Sequence, residues 1–560
     1  MGDVTAGSVH LIDPSTRKIV STVSLTGQPS GLAWSTDSKR LFAAEAGVGS
    51  IAEIDRASGE VTRRFTTARY PQGLARAAKR NLLFACDYGN DQLVAFDPET
   101  GKSVAQIPVG RQPMHVAITP DESLAVVSNL IPATAATAPD HATEISIVDL
   151  ATLTARAPVR LPTGSTNARG VAIDGKGEKA YVAHTLGRFH LPTTQLDRGW
   201  VNTNALSIID LKSGTRIATV LLDRVMDGAA DPWGVAIHPQ GTKLYITLSG
   251  VHQIAVIDLE RLNAMIGSDP DAFTNDLAAL HREKIMRRVD LPAKGPRGIA
   301  ISPDGIALAV AGYFSGNVAM LDADLANPAS IPLGPQPEPD LVRRGEIAFH
   351  DANRCFQRWL SCTTCHPGAR SDGLNWDLLN DGIGNPKNTR SMLLSHATPP
   401  VMSLGVRDKM ETAVRAGFIH IQFTQPDPGE VEAVNAYLES LKAATSPRRN
   451  ADGSLTESAA RGETIFHRES TGCAQCHPAP LFTDLALSDV GTATPRDREA
   501  KAYDTPTLVE AWRNPPYLHD GRAATMREVF AKHNADDSHG VTSTLSPAEL
   551  DDLIEYLLSL

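Results

Sequence analysis

The chain is poor in cysteine, with six in 560 residues, and poor in aromatic residues, which make up 5%. So few thiols rule out a disulfide-stapled scaffold. No run of about 18 apolar residues occurs, so no helix is expected to span a membrane. An excess of positive charge is also missing: 53 Lys and Arg stand against 64 Asp and Glu, a formal net charge of -11. That balance argues against nucleic acid and mildly favours a basic redox partner. The opening residues Met1 to Val4 carry neither a charged stretch nor an apolar one, so no signal peptide is read there.

Four of the six cysteines fall into two copies of Cys-x-x-Cys-His, at Cys362, Cys365 and His366 and again at Cys473, Cys476 and His477. This pattern reads as covalent attachment of two c-type haems. One helical turn brings both thiols to the vinyl groups of one porphyrin and the adjoining imidazole to its iron. A zinc ribbon would join its two knuckles over about 15 to 20 residues, and a thioredoxin motif would sit in a βαβ pattern; neither context is present. His366 and His477 are the expected proximal ligands. Cys86 and Cys355 belong to no motif and read as buried small residues. Thioether attachment takes place outside the cytoplasm, and a periplasmic location follows from the haem argument alone.

The first 330 residues repeat. Strand patterns ending in Asp close at Asp13, Asp55, Asp97, Asp149, Asp210, Asp258 and Asp322. Between them recurs a second phrase, beginning at Pro29, Pro71, Pro113, Ala168, Pro232 and Pro296, with Gly two residues later in all but the third. A period near 42 with four short strand patterns predicts a β-propeller of seven blades, the first incomplete. Insertions are expected at about 130 to 142, 186 to 204 and 261 to 285, the last helical in composition. The repeats resemble Tyr-Val-Thr-Asn propellers, most closely at Leu244 to Thr247. Ser30, Gln72, Met114, Arg169, Trp233 and Arg297 share one position, expected at the channel mouth, where the arginines and Trp233 would bind an anionic or aromatic ligand or dock the following domains. The insertion from His184 to Trp200 reads as a lid packed on those domains, with metal ligation by its histidines the alternative.

The last 220 residues read the same text twice. Arg344 to His350 matches Arg461 to His467, Thr398 to Gly405 matches Asn514 to Gly521, and Ala436 to Leu438 matches Glu555 to Leu557. The fold class is therefore multidomain: an all-β seven-bladed propeller over 1–333, a linker 334–340, an all-α c-type haem domain over 341–444, a linker 445–455 and a second all-α haem domain over 456–560.

On its two haem motifs, Asp504 to Leu508 and Pro516 to Gly521, the segment 341–560 resembles the diheme bacterial cytochrome c peroxidase family, including relatives that mature amine dehydrogenases. The resemblance implies a C-terminal haem that is six-coordinate and receives electrons, an N-terminal haem where peroxide is reduced, and an interdomain calcium. Transferred to this chain, it pairs His477 with His533 as second ligand, with His519, Met526 and His539 as rivals. For the first haem either His420 closes the iron or the site is open; His396 and His420 are alternatively distal acid/base groups, and Met402 lies near. Where the family usually carries Trp-Asp-Gly this chain has Ser403, Leu404 and Gly405, so Trp376 or Trp359 is expected to bridge the haems. The implied function is a periplasmic diheme oxidoreductase served by a small redox protein as donor or acceptor, with peroxide or a small molecule docked by the propeller as substrate. Two alternatives stay open: an electron-transfer protein with two six-coordinate haems serving a partner enzyme, and a propeller-borne substrate site with the cytochrome half as electron outlet.

Overall fold

A computed structural model describes residues 1–67, 69–191, 201–377 and 384–560. Seven antiparallel sheets follow one another along the first 332 residues and form the blades of a seven-bladed β-propeller. The first sheet has three strands, the shortest being Gly2–Asp3; the others have four or five. Each recurrent Asp closes the strand before the outermost one of its blade and turns the chain there. The carboxylates of Asp13, Asp55, Asp97, Asp149, Asp210, Asp258 and Asp322 accept backbone N–H groups two to four residues on, closing tight turns in six cases and capping the helix Leu259–Met265 at Asp258.

The second phrase builds the innermost strands, Gln28–Trp34, Pro71–Ala77, Pro113–Ile118, Val171–Ile173, Pro232–Ile237 and Pro296–Ile301. A register break follows the proline in five of them. Its glycine is a packing requirement, because a Cβ on Gly31, Gly170 or Gly234 would lie 2.4, 2.2 or 2.4 Å from the carbonyl oxygen of Gln72, Trp233 or Arg297 in the next blade. The insertion at 261–285 contains the short helices Leu259–Met265 and Ala279–Arg282. Residues 192–200, which hold most of the expected lid, lie outside the described residues.

Beyond the propeller, two halves repeat one arrangement. Helix Leu341–His350 crosses Glu430–Ser440, and helix Glu457–Phe466 crosses Pro547–Ser559. At each crossing a glycine lets the backbones touch: a Cβ on Gly345 would lie 1.8 Å from the Ala433 carbonyl oxygen, and one on Gly462 1.9 Å from that of Asp552. One turn further on, Phe349 meets Tyr437 at 5.4 Å between ring centres, and Phe466 meets Tyr556 at 5.3 Å. Replacing Gly462 by alanine must push a pair of packed helices apart, and a loss of about 3 kcal/mol or more is expected in denaturant unfolding. The expectation of all-α halves is too simple. Their helices are short and separated by irregular chain, and each half holds a two-residue ladder, Asn375–Trp376 with Lys387–Asn388 and Leu487–Ser488 with Tyr503–Asp504.

The propeller packs against both halves. Tyr70 stacks on Trp512 at 5.7 Å, Arg111 and Gln112 donate to the carbonyls of Ala524 and Arg513, and His141 Nε2 lies 3.0 Å from the Gly373 carbonyl. The 130–142 insertion supplies the last of these contacts.

Candidate haem centres

Both Cys-x-x-Cys segments are single helical turns, Cys362–Cys365 and Cys473–Cys476. The first is anchored from below by the propeller. Ser361 and Thr364 donate to the Asp231 carboxylate at 2.6 and 2.8 Å, and Asn167 Nδ2 donates to the Thr364 carbonyl at 2.7 Å. Burial pushes the Asp231 carboxyl up, against the pull of those two hydroxyls. Among the described residues the second turn has no such anchor, and it starts from Gly472 in left-handed conformation, φ 74°.

The two histidines are held alike. His366 Nδ1 lies 3.0 Å from the Arg370 carbonyl oxygen, and His477 Nδ1 lies 2.9 Å from that of Phe482. Facing a carbonyl, each Nδ1 must carry the proton, which leaves Nε2 with a free lone pair for a metal. Burial lowers the pKa of both rings and keeps them neutral. Burial also pushes the Cys362 thiol up to about 12 and raises those of Cys365 and Cys473. Thiolates for zinc are disfavoured there, whereas a neutral thioether meets no such cost. The donor set therefore fits covalent haem c at both motifs.

The distal sides differ. The His539 ring lies 6.5 Å from the His477 ring, centre to centre. Two imidazoles sharing one metal, each nitrogen about 2 Å from it, stand roughly 6 Å apart. The expected partner, His533, ends helix Met526–His533 half-buried and makes no ring contact with His477. The physical reason lies in the next turn, where Asn534 donates to the Gly540 carbonyl and to Thr542, Asp537 holds the Thr542 N–H, and the chain folds back. Asn534 Oδ1 also takes the His539 N–H at 2.7 Å, which presents that imidazole. Burial first, then the neighbouring His477 ring, lower the His539 pKa to about 4. Of the other rivals, His519 stacks on Tyr503 at 3.9 Å with Nε2 3.4 Å from Asp497, and Met526 is buried in the core of its half.

Among the described residues no aromatic or imidazole ring pairs with His366 across a comparable gap. His420 sits in the one-turn π-helix Gly417–Ile421 with its side chain exposed, and His396 is exposed as well. Met402 is half-buried. Trp376 is buried, donates from Nε1 to Asp372 Oδ2 at 3.0 Å, and shares an apolar cluster with Trp359 and Leu374, against which Cys365 packs. Its neighbour Asn375 donates to the Asp520 carbonyl of the second half, while the Trp376 ring itself packs against the propeller at Val201 and Gly187.

Several residues of the site carry no sequence signal. Asp372 is buried and pushed up to about 7 by that burial. Gln422 is buried beside Cys362, and its amide oxygen has no partner. Arg370 and Glu510, 140 residues apart, form a two-pronged buried ion pair joining the halves at 2.6 and 2.9 Å. For calcium, no group of three or more His, Cys, Asp or Glu side chains able to hold a metal ion occurs among the described residues. Across the ladder region, Asp497 is already met by Asn385 Nδ2 and Lys387 Nζ.

A propeller followed by two Cys-x-x-Cys-His sites with oriented imidazoles defines a haem c protein of the diheme oxidoreductase class. The chain belongs to the diheme cytochrome family that includes the gamma subunit of hydrazine synthase from Kuenenia stuttgartiensis, to which it is 33% identical over 274 residues, covering 40% of this chain and 78% of that subunit. The beta subunit of the same enzyme is 31% identical over 160 residues, 28% of this chain and 41% of that subunit. The methylamine utilization protein MauG of Methylorubrum extorquens is 26% identical, covering 40% of this chain and 78% of MauG. A solved chain of Kuenenia stuttgartiensis hydrazine synthase superposes with a TM-score of 0.53 at 24% identity, over 57% of this chain and 91% of that one, a likeness of fold. No protein-family model matches the chain.

Proposed function

We propose that this protein is a periplasmic diheme oxidoreductase in which the His477 centre receives electrons and the His366 centre performs the reaction. The observation that carries this reading is the asymmetry of the distal sides: His477 faces His539 at 6.5 Å, and His366 faces no ring among the described residues. When bound, the haem irons supply one-electron transfer, and an open coordination position supplies a place for peroxide or another small oxidant. The chain's residues do the rest. The Arg370 and Phe482 carbonyls fix the His366 and His477 imidazoles, and His477 and His539 would together hold the iron of the second haem. Trp376, hydrogen-bonded to Asp372, is the bridging group in this reading, and His396 and His420, both exposed, are its acid/base candidates.

The domain division at 333, 341, 445 and 456 belongs to this proposal, with the propeller as scaffold. Its supports are the Asp231 anchor on the first haem turn and the contacts to Arg513 and Ala524. A match to two different subunits of one enzyme supports a further reading, that this single chain joins two functions that hydrazine synthase divides between subunits. The electron partner in this reading is a small soluble redox protein. Low-temperature EPR of the ferric holoprotein tests the proposal. One high-spin and one low-spin signal are expected; two low-spin signals would make the chain an electron-transfer protein instead.

A further inference from the structure

The propeller axis ends in an unusual concentration of positive charge. Arg169 and Arg297, from equivalent positions of the repeat two blades apart, both lie on the Trp233 ring, with guanidinium carbons 3.9 and 4.3 Å from its centre. Arg297 also lies 3.5 Å over Tyr313. Neither guanidinium makes an ion pair among the described residues. Arg169, 8% exposed, has one long hydrogen bond, 3.4 Å to Asn167 Oδ1, and Arg297 Nε is buried without a partner.

The Asp231 carboxylate attracts both arginines but makes an ion pair with neither, and its two oxygens accept from Ser361 and Thr364. Glu346 is likewise taken by Arg343 at 2.6 Å. Holding two cations against one indole ring, one of them buried, is costly unless something negative joins them. Burial first, then the charge of Arg297, draws Arg169 down to about 10, which is the same strain seen from the proton's side. Water reaches the place: His115 on a neighbouring inner strand is exposed, and Gln72, Met114, Trp233 and Arg297 are half-exposed.

We infer that the inner end of the propeller channel, between Arg169, Trp233 and Arg297, is a binding site for a small anion, a carboxylate or an inorganic oxyanion. Arginine suits such ligands through paired, planar N–H donors, and the indole face holds both guanidinium groups in place. The site lies behind the first haem turn, because Asp231 and Asn167, which hook Ser361 and Thr364, each stand two residues before a member of the Arg169 and Trp233 pair. It is distinct from either haem centre and stands whether or not the first iron is open.

The test uses the full-length holoprotein and nitrate as probe. Calorimetric titration of the wild type is expected to show saturable binding of one nitrate per chain, weakened at least tenfold in R297Q and in R169Q, with unchanged haem spectra. Crystals soaked in bromide should place an anomalous peak against the Arg169 or Arg297 guanidinium. Absence of saturable uptake by the holoprotein would overturn the proposal, and is also the outcome if a haem propionate fills the place. Equal affinity in R297Q, or bromide only elsewhere, would overturn it too. Should R169Q fail to accumulate, Arg297 decides the matter alone: R297Q is expected to lose at least tenfold in affinity, and R297K, which keeps the charge without the planar donors, to recover only part of it.

Discussion

Replacing His539 by alanine is expected to abolish nearly all of the low-spin ferric signal of the His477 haem and replace it with a high-spin one, whereas H533A leaves the spectrum as it was. The expectation rests on geometry. Among the described residues only His539 brings a ring to the separation that two axial imidazoles require, and its loop is fastened at both ends by Asn534 and Asp537. N534A should therefore act in the same direction but more weakly, since it releases the His539 N–H without deleting the imidazole. A low-spin signal surviving in H539A and lost in H533A would reverse the assignment. Attachment at Cys473 and Cys476 is unaffected in all three variants, so haem-stained gels separate ligand loss from haem loss.

The second large effect is expected at the join between the halves. Glu510 is fully buried and Arg370 nearly so, and they meet through two hydrogen bonds. Removing one partner strands the other charge in a low-dielectric interior, so E510A should lose about 3–5 kcal/mol in Soret-monitored urea unfolding. The double variant R370M/E510M, which fills the space with apolar side chains, should recover most of that loss. Because the Arg370 carbonyl orients His366, E510A is also expected to shift the absorption of the first haem and not that of the second. Burial alone would raise the Glu510 pKa, but Arg370 and then Arg513 outweigh it and hold it below the ordinary carboxylate value. A depressed carboxylate contributes stability that is complete above its unfolded pKa and disappears as pH falls through the folded one, so the E510A penalty should shrink in acid. A penalty independent of pH, or no recovery in the double variant, would show that the pair contributes through packing alone.

The sequence by itself determined the propeller, its seven blades and the two haem-attachment motifs. Each of these is local text: Asp at a turn, Gly where one blade's backbone meets the next, Cys-x-x-Cys-His within one helical turn. The duplication of the cytochrome half was legible for the same reason, since Gly345 and Gly462 each stand at a helix crossing that tolerates no side chain. Spacing alone could not choose the distal imidazole. His533 and His539 lie close together in the chain, and the choice between them depends on how Asn534 and Asp537 fold the chain back after the helix, a side-chain network without a sequence signature. The same holds for Arg370 with Glu510 and for Asp231 beneath the first haem turn, whereas the repeat position shared by Arg169, Trp233 and Arg297 already placed those three together. In the first two cases the partners lie far apart in the chain, and only the closure of the propeller and the docking of both halves on it bring their charges within reach.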